Sequence, residues 1–274
     1  MIPASFDYVR AGSVDEAIAA LAEHGDEAKL IAGGHSLIPL MRFRLAAPAV
    51  LIDVNRLEDL KYVRDAGDHL AIGAMTRHRD IEIDPLVKSQ AGLLAEATAN
   101  VGDNQVRHRG TIGGALAHAD AASDIPSALL ALRATVVAQG PDGTREIAID
   151  DFFTGFLESA LGETEIVTEI KVPKVPDATW SFQKFNRRAQ DWAIVGASIL
   201  VNNGSCGVGL VNMDSVPLRA TAVEEAVAGG ANAADAAALA AEGASPPADL
   251  NATVEYREHL ARVLVRRGLE AAGR

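Results

Sequence analysis

Cysteine is nearly absent from this sequence: Cys206 is the only one among 274 residues. A single cysteine cannot close a disulfide within the chain, form a Cys-x-x-Cys redox pair, or hold an iron-sulfur cluster without help from another chain. This usage is typical of a reducing compartment, so a cytoplasmic location is predicted. Cys206 itself is expected to be a small, buried hydrophobic side chain.

Long apolar runs and positive charge are also scarce. The apolar run 193–201 has about half the length of a membrane-spanning helix, and the N-terminus lacks the basic and apolar regions of a signal peptide. The 37 acidic residues outnumber the 25 basic ones, and the formal net charge of -12 repels nucleic-acid phosphates. We therefore expect no transmembrane segment and no nucleic-acid partner.

What the chain does contain is a mixed helix and strand pattern without repeats. Its hydrophobic content of 49% allows a sizeable core. The capping box Ser13-Val14-Asp15-Glu16 predicts a first helix that ends at Gly25. Hydrophobic patterning and turn residues predict further elements in the first two thirds of the chain. The predicted strands are 29–32, 49–54, 69–74, 134–139, 145–149 and 165–172, and the predicted helices are 86–101 and 125–132.

The pattern changes after Pro173 and Pro176. Strands are predicted at 181–185, 193–202 and 207–213, followed by alanine-rich helices and a last helix that starts near Val254. The alanine-rich segment 220–244 could be a linker, but alanine is the strongest helix former and glycines stand where helices would stop. We predict a helical pair there, and two domains with the bounds 1–176 and 177–274.

Two stretches pair adjacent glycines with a hydroxyl residue: "AGGHSLIPLM", which contains Ser36, and "TIGGALAHAD", which contains Thr111. Without Cβ atoms, a ligand can come close to main-chain N–H groups, and several such groups together bind an anion. Neither stretch has the spacing of a Walker loop or a Rossmann turn. One glycine pair alone could be a tight turn with packing glycines. Two together favour a pyrophosphate held between loops.

The chain closely resembles the FAD-binding medium subunit of the molybdenum hydroxylases, a family that includes the medium chain of carbon monoxide dehydrogenase and the flavin domain of xanthine dehydrogenase. The resemblance lies in "FDYVRAGSVDEAIAAL", "AGGHSLIPLMRFRLAAPAVLIDVNRL", "VRHRGTIGGALAHADAASDIPSALLAL" and "FNRRAQDWAIVGAS", and it extends over nearly the whole chain. It implies an α+β fold, in which a two-part FAD-binding domain of the vanillyl-alcohol-oxidase (PCMH) type is followed by a smaller C-terminal α/β domain.

The resemblance also implies which residues bind FAD. The two glycine loops would clamp the pyrophosphate, Gly102 would lie beside the flavin, and Leu161 would contact the cofactor through its backbone. Asp124 would accept hydrogen bonds from sugar hydroxyls, because a carboxylate accepts from a hydroxyl group and is repelled by a phosphate. The residues of the two loops are Ala32, Gly33, Gly34, His35, Ser36 and Leu37 in the first and Thr111, Ile112, Gly113 and Gly114 in the second.

Two further residues would act at the flavin ring. The charge of Lys184 would stabilise reduced flavin, and Trp192 would cover the isoalloxazine. The sequence departs from the family pattern at His108 and Ala115, where the family often has asparagine. The loss of an amide at Ala115 puts one polar contact with the cofactor in doubt.

Each of these residues also has an ordinary alternative. Trp192 could be a core residue, and Lys184 a solvated surface lysine. Asp124 could be an acid at a helix N-terminus that needs no ligand. His35 could be a local turn residue, because nothing near it has the spacing of a catalytic triad or a zinc site.

The function implied by the resemblance is electron transfer in a multi-subunit oxidoreductase. This chain would carry FAD, and a large molybdenum-pterin subunit and a small iron-sulfur subunit would complete a dimer of heterotrimers. Electrons would pass from the clusters through FAD to an external acceptor.

One alternative is a self-contained flavin oxidoreductase, which needs its own acid or base; the candidates His35, His108 and His118 have no obvious partners. The other is a non-flavin nucleotide-binding scaffold whose loops are only turns.

Overall fold

The computed structural model describes residues 2–274, which form three larger β-sheets, a two-stranded ribbon and the helices that cover them. None of the helices in this range is both long enough and apolar enough to cross a bilayer. In chain order the elements are β1 (Asp7–Arg10), α1 (Val14–His24), β2 (Ala28–Ile31), α2 (Leu37–Arg42), β3 (Val50–Asp53), β4 (Val63–Asp65), β5 (His69–Gly73), α3 (His78–Ile83), α4 (Pro85–Gln90), α5 (Gly92–Ala99), α6 (Asn104–Arg109), α7 (Ile112–His118), α8 (Asp124–Leu132), β6 (Thr135–Gly140), β7 (Gly143–Ala148), β8 (Phe153–Gly155), β9 (Glu158–Ser159), β10 (Ile166–Pro173), β11 (Thr179–Phe185), β12 (Val195–Asn202), β13 (Ser205–Val211), β14 (Leu218–Arg219), α9 (Thr221–Ala228), α10 (Ala233–Ala238) and α11 (Val254–Ala271).

The N-terminal sheet is parallel, with the strand order β1-β3-β2. Helix α1 connects β1 to β2, and its predicted cap is confirmed: the Ser13 hydroxyl accepts a hydrogen bond from the Glu16 N–H at 3.1 Å. The Glu16 carboxylate accepts from the Gly12 N–H at 2.7 Å. The helix ends at Gly25, where φ is 52°. This sheet places the end of β2, and with it the first glycine loop, at its carboxyl edge.

The second sheet is antiparallel, with the order β4-β5-β10-β6-β7. Helices α5, α7 and α8 supply buried residues to the same core as this sheet, including Leu94, Leu116 and Leu129 beside Ile72 and Ile170. These helices carry much of the second glycine stretch and the segments around it. The core therefore determines where that stretch lies.

The third sheet is antiparallel, with the order β11-β12-β13-β14, and has helices on both faces. Ser198 faces α8, because its hydroxyl lies 2.7 Å from that of Ser127. The next residue, Ile199, faces α11, where a Cβ on Gly268 would lie 2.4 Å from its Cδ1. Alternation along β12 thus places α8 on one face of the sheet and α11 on the other.

Two predictions about elements are wrong. The predicted helix 86–101 is two helices, because Ala91 leaves the helical region with φ -149° and ψ 51°. The second glycine stretch was expected to be a loop, yet Gly113 and Gly114 lie in the first turn of α7. Thr111 caps that helix by accepting a hydrogen bond from the Gly114 N–H at 3.2 Å. The alanine-rich helical pair is confirmed as α9 and α10, although α10 ends before Gly243.

Candidate functional site

The first glycine loop presents backbone N–H groups that the protein itself does not use. Gly34 has φ of 76°, a left-handed conformation that turns the chain after β2. Within residues 2–274, the N–H groups of Gly34, His35, Ser36 and Leu37 have no hydrogen-bond acceptor, and the Ser36 hydroxyl makes no capping bond to α2. Successive free N–H groups in a turn form a concavity that binds anions.

The second glycine stretch differs, because its backbone donors are already occupied. Ile112 donates to Thr76 O at 3.2 Å and Gly113 donates to Ala74 O at 2.9 Å, while Gly114 donates to the Thr111 hydroxyl. Thr111 is 2% exposed, and its hydroxyl keeps one proton to donate. The free N–H groups of the site therefore come from the first loop. The second stretch lies beside them, and its glycines have no side chains that would stand in the way of a ligand.

Glycine is required in these stretches by protein packing. A Cβ on Gly33 would lie 2.3 Å from Arg109 O, and a Cβ on Gly113 would lie 2.6 Å from the Cβ of Ala74. Atoms at these distances would have to move. The packing interpretation is therefore correct for both glycines, and it has a consequence for the site: the close fit of Gly33 against Arg109 brings the two stretches into direct contact.

Two residues that the sequence analysis missed connect the stretches. The Asn55 side-chain amide donates to Ala32 O at 2.6 Å and accepts from Arg77 Nη2 at 2.9 Å. Arg77 Nη1 donates to Arg109 O. These bonds join positions 22, 23 and 32 residues apart, so no local pattern marks them. Asn55 and Arg77 thus link a carbonyl of the first loop to a carbonyl next to the second stretch.

A buried ion pair forms a second part of the site. Lys184 Nζ lies 2.6 Å from Asp124 Oδ2 and donates to Asn100 O at 2.9 Å. The two side chains are 7% and 5% exposed, so the surface-lysine alternative is wrong. Burial raises the pKa of Asp124 to about 6, and the Lys184 charge opposes that rise. Asp124 Oδ1 is buried without a hydrogen-bond partner within residues 2–274. A ligand hydroxyl would satisfy it.

The other predicted residues lie near these groups or apart from them. Gly102 has φ of 49° and follows closely on Asn100, whose carbonyl binds Lys184. Leu161 is partly buried against the main core.

Trp192 lies between β11 and β12 and is 60% exposed, so the core alternative is wrong. His35 Nδ1 lies 3.2 Å from Gly33 O, which agrees with a local role in the turn. Cys206 is buried as predicted, and burial raises the pKa of its thiol to about 12.

The donors and acceptors of the site fit a dinucleotide. Four adjacent free N–H groups suit the anionic oxygens of a pyrophosphate, and an unpaired carboxylate oxygen suits a sugar hydroxyl. Asp124 begins α8, which packs against α7, the helix that carries the second glycine stretch.

Comparison with known families agrees with this chemistry. Residues 4–175 match the family described as the FAD binding domain in molybdopterin dehydrogenase. Residues 180–272 match the C-terminal domain of the carbon monoxide dehydrogenase flavoprotein. The chain belongs to the FAD-binding medium subunits of the molybdenum hydroxylases.

Individual relatives extend over essentially the whole chain. The carbon monoxide dehydrogenase medium chain of Hydrogenophaga pseudoflava is 38% identical, with 99% of this chain and 98% of the relative covered. The glyceraldehyde dehydrogenase medium chain of Sulfolobus acidocaldarius is 36% identical, with coverages of 96% and 97%. This chain is accordingly a subunit of an oxidoreductase, and its cofactor is FAD.

Solved structures show the same fold. A chain of carbon monoxide dehydrogenase from Hydrogenophaga pseudoflava superposes with a TM-score of 0.96 at 39% identity, covering 99% of this chain and 98% of that one. A chain of quinoline 2-oxidoreductase from Pseudomonas putida 86 superposes with a TM-score of 0.92 at 31% identity, with coverages of 99% and 98%. The predicted fold class, an α+β FAD-binding domain followed by a smaller C-terminal domain, is confirmed.

Proposed function

We propose that this chain is the electron-transfer subunit of a molybdenum hydroxylase complex. Electrons would arrive from iron-sulfur clusters on a partner chain and leave to an external acceptor. FAD, when bound, supplies the redox chemistry. The partners would be a large molybdenum-pterin subunit and a small iron-sulfur subunit, arranged as a dimer of heterotrimers in the cytoplasm. Relatives named as medium subunits, such as that of nicotine 6-hydroxylase from Paenarthrobacter nicotinovorans, support this division of labour.

The observation that carries the proposal is the row of free N–H groups from Gly34 to Leu37. In our proposal these groups and the Ser36 hydroxyl hold the FAD pyrophosphate, with Ala32, Gly33 and His35 shaping the loop. The second stretch, Thr111, Ile112, Gly113 and Gly114, closes the opposite side. The free protons of the Ser36 and Thr111 hydroxyls can donate to phosphate oxygens.

The remaining predicted residues have proposed roles around the sugar and the ring. Asp124 Oδ1 accepts from a sugar hydroxyl, and Gly102 and Leu161 provide backbone next to the cofactor. Lys184 keeps Asp124 ionised, because its ammonium group already binds that carboxylate. Lys184 can keep this bond to Asp124 and also lie beside the flavin ring, as predicted. The exposed indole of Trp192 is free to cover the isoalloxazine. We propose that the domains meet near residue 176.

The lack of cluster ligands separates this chain from a self-contained enzyme. Two iron-sulfur clusters ordinarily need about eight cysteine ligands, whereas this chain has Cys206 alone. That thiol is 5% exposed, and burial raises its pKa to about 12, so it does not become the thiolate a metal requires. The clusters must then belong to another chain.

The test compares the isolated chain with the reassembled complex. We expect the isolated chain to bind FAD stoichiometrically without iron or molybdenum, and a hydroxylase substrate should not reduce its flavin. Adding the partner chains should allow the substrate to bleach the flavin absorbance under anaerobic conditions. Metal analysis and absorbance spectra measure both. Iron in the isolated chain, or bleaching without partners, would favour the self-contained oxidoreductase, and a folded chain that never binds flavin would favour the scaffold.

A further inference from the structure

The hydrogen bonds of Asn55 and Arg77 form a continuous bridge between the two glycine stretches. One end is Ala32 O in the first loop, which accepts from Asn55 Nδ2 at 2.6 Å. The other end is Arg109 O, just before the second stretch, which accepts from Arg77 Nη1. Asn55 Oδ1 and Arg77 Nη2 meet in the middle at 2.9 Å. Every bond of the bridge ends on a backbone carbonyl or on the other member of the pair.

The bridge is itself held in place from the β3 side. Asp53 Oδ1 accepts from both the backbone N–H and the side-chain amide of Asn55, each at 2.7 Å. The Tyr8 hydroxyl in turn donates to the other oxygen of Asp53. Asn55 is therefore fixed in the orientation that directs its amide at Ala32 O and its carbonyl at Arg77.

The packing of Gly33 shows that the bridge controls the distance between the two stretches. The carbonyl that Arg77 holds, Arg109 O, is the atom against which Gly33 packs, at 2.3 Å from where a Cβ would be. The position of Arg109 O thus limits how closely the first loop approaches the second stretch. A guanidinium group can donate to two acceptors in a fixed geometry, so Arg77 holds Arg109 O and Asn55 at a set separation.

We propose that Asn55 and Arg77 are positioning residues that set the spacing of the two glycine stretches and thereby the affinity for FAD. This inference rests on the proposed placement of the pyrophosphate between those stretches. Neither side chain needs to touch the cofactor, since both act through the carbonyls of Ala32 and Arg109. The bridge orients the free N–H groups before FAD binds, which lowers the cost of ordering the loop on binding.

The experiment measures FAD affinity of the full-length apoprotein by fluorescence titration, together with the melting temperature of each apo variant. Arg77→Met and Asn55→Ala should each weaken FAD binding by about tenfold, because a hydrogen bond that orders the loop is lost. The double variant should be little worse than the weaker-binding single variant, because both residues belong to one bridge. Arg77→Lys should recover part of the affinity, since lysine keeps the charge but lacks the fork.

Arg79→Met is the matched control. Arg79 lies in the first turn of α3, two residues after Arg77, and pairs with Glu82 at 2.9 Å, without a hydrogen bond to either loop carbonyl. Its loss should leave FAD affinity unchanged. A purely structural role for the bridge would lower the melting temperature of the apo form and leave the affinity of the folded protein unaltered.

The outcomes separate this inference from the proposed function. Wild-type protein that folds but binds no FAD would contradict the proposed site itself. Wild-type binding together with unchanged affinity in Arg77→Met and Asn55→Ala would overturn the bridge alone, and so would fully additive losses in the double variant. If Arg77→Met does not fold, Asn55→Ala and Arg77→Lys decide: affinity equal to wild type in both overturns the inference.

Discussion

At the scale of single residues, Asp124 and Lys184 show how a buried charge depends on its partner. Asp124 begins α8 and Lys184 lies on β11, so the pair joins a helix of the first domain to a strand of the second. Burial raises the Asp124 pKa above its ordinary value, and Lys184 limits the rise. Removing one partner of such a pair leaves an uncompensated charge, which typically costs about 3 to 5 kcal/mol.

Lys184→Met should therefore destabilise the protein in a pH-dependent way. The folded-state pKa of Asp124, about 6, lies above the ordinary 3.8, so the burial penalty on its ionised form is complete above pH 6 and is lost progressively as the pH falls from 6 towards 3.8. Compared with wild type, Lys184→Met should lose several kcal/mol of stability at about pH 8. At about pH 5 the loss should be small, because Asp124 is mostly protonated in both folded proteins. Thermal denaturation at both pH values measures the difference.

The double variant Asp124→Asn/Lys184→Met supplies the control for this prediction. It removes both charges, and we expect it to recover most of the stability lost at the higher pH. An equal loss in Lys184→Met at both pH values would mean that lost packing of the lysine stem, and not the charge of Asp124, is responsible.

At the scale of elements, α8 and β13 approach each other more closely than side chains would allow. A Cβ on Gly207 would lie 2.1 Å from Ala131 O, and a Cβ on Gly209 would lie 1.9 Å from Ser127 O. The helix backbone lies directly on the strand backbone at these positions. This contact fixes α8, which carries Asp124, over the second domain.

Gly209→Ala should consequently disturb both the interface and the cofactor site. The added methyl group forces α8 away from β13, and overpacking of this kind costs about 1 to 3 kcal/mol or more. We expect a lower urea midpoint and a reduced flavin content after purification. Gly229→Ala is the matched control, because the nearest atoms to its Cβ lie at 3.4 Å and its φ is -74°. Equal midpoints for the two variants would contradict the close packing of α8 on β13.

At the scale of the whole molecule, the ion pair and the close contact with β13 both join the two domains through α8. All nine residues of this helix are buried, between the core of the first domain and the third sheet. Taking away residues 177–274 would expose one face of α8 and leave Asp124 without Lys184. The first domain carries both glycine stretches, yet it depends on the second domain for its stability.

A fragment of residues 1–176 should therefore be aggregation-prone and poor in flavin when it is produced alone. Co-production with residues 177–274 should restore a soluble complex that contains FAD, since the cost of exposing α8 is then removed. Solubility and the ratio of flavin to protein absorbance are the measurements. A monomeric 1–176 fragment that binds FAD as tightly as the full chain would contradict the dependence.

Much of the fold could be predicted from sequence because the signals are local, and the same local signals indicated a pyrophosphate, whereas FAD itself was implied by the family resemblance. The cap at Ser13, the strand patterns before Gly33 and after Arg133, and the two glycine stretches each lie within a short window, where a few neighbouring side chains determine the conformation. The alanine-rich helices follow from intrinsic propensity in the same way. The lone Cys206 likewise excludes an iron-sulfur cluster held by this chain alone.

Only the tertiary structure decided how these parts make a site. The sequence does not show that the N–H groups of the first loop are free while those after Thr111 are occupied, because their acceptors, Ala74 O and Thr76 O, come from another segment. Nor does it show that Lys184 is buried against Asp124, 60 residues away, or that Asn55 and Arg77 join the two stretches. Backbone hydrogen bonding and burial depend on contacts between distant residues, and local patterns carry no information about which distant residues meet.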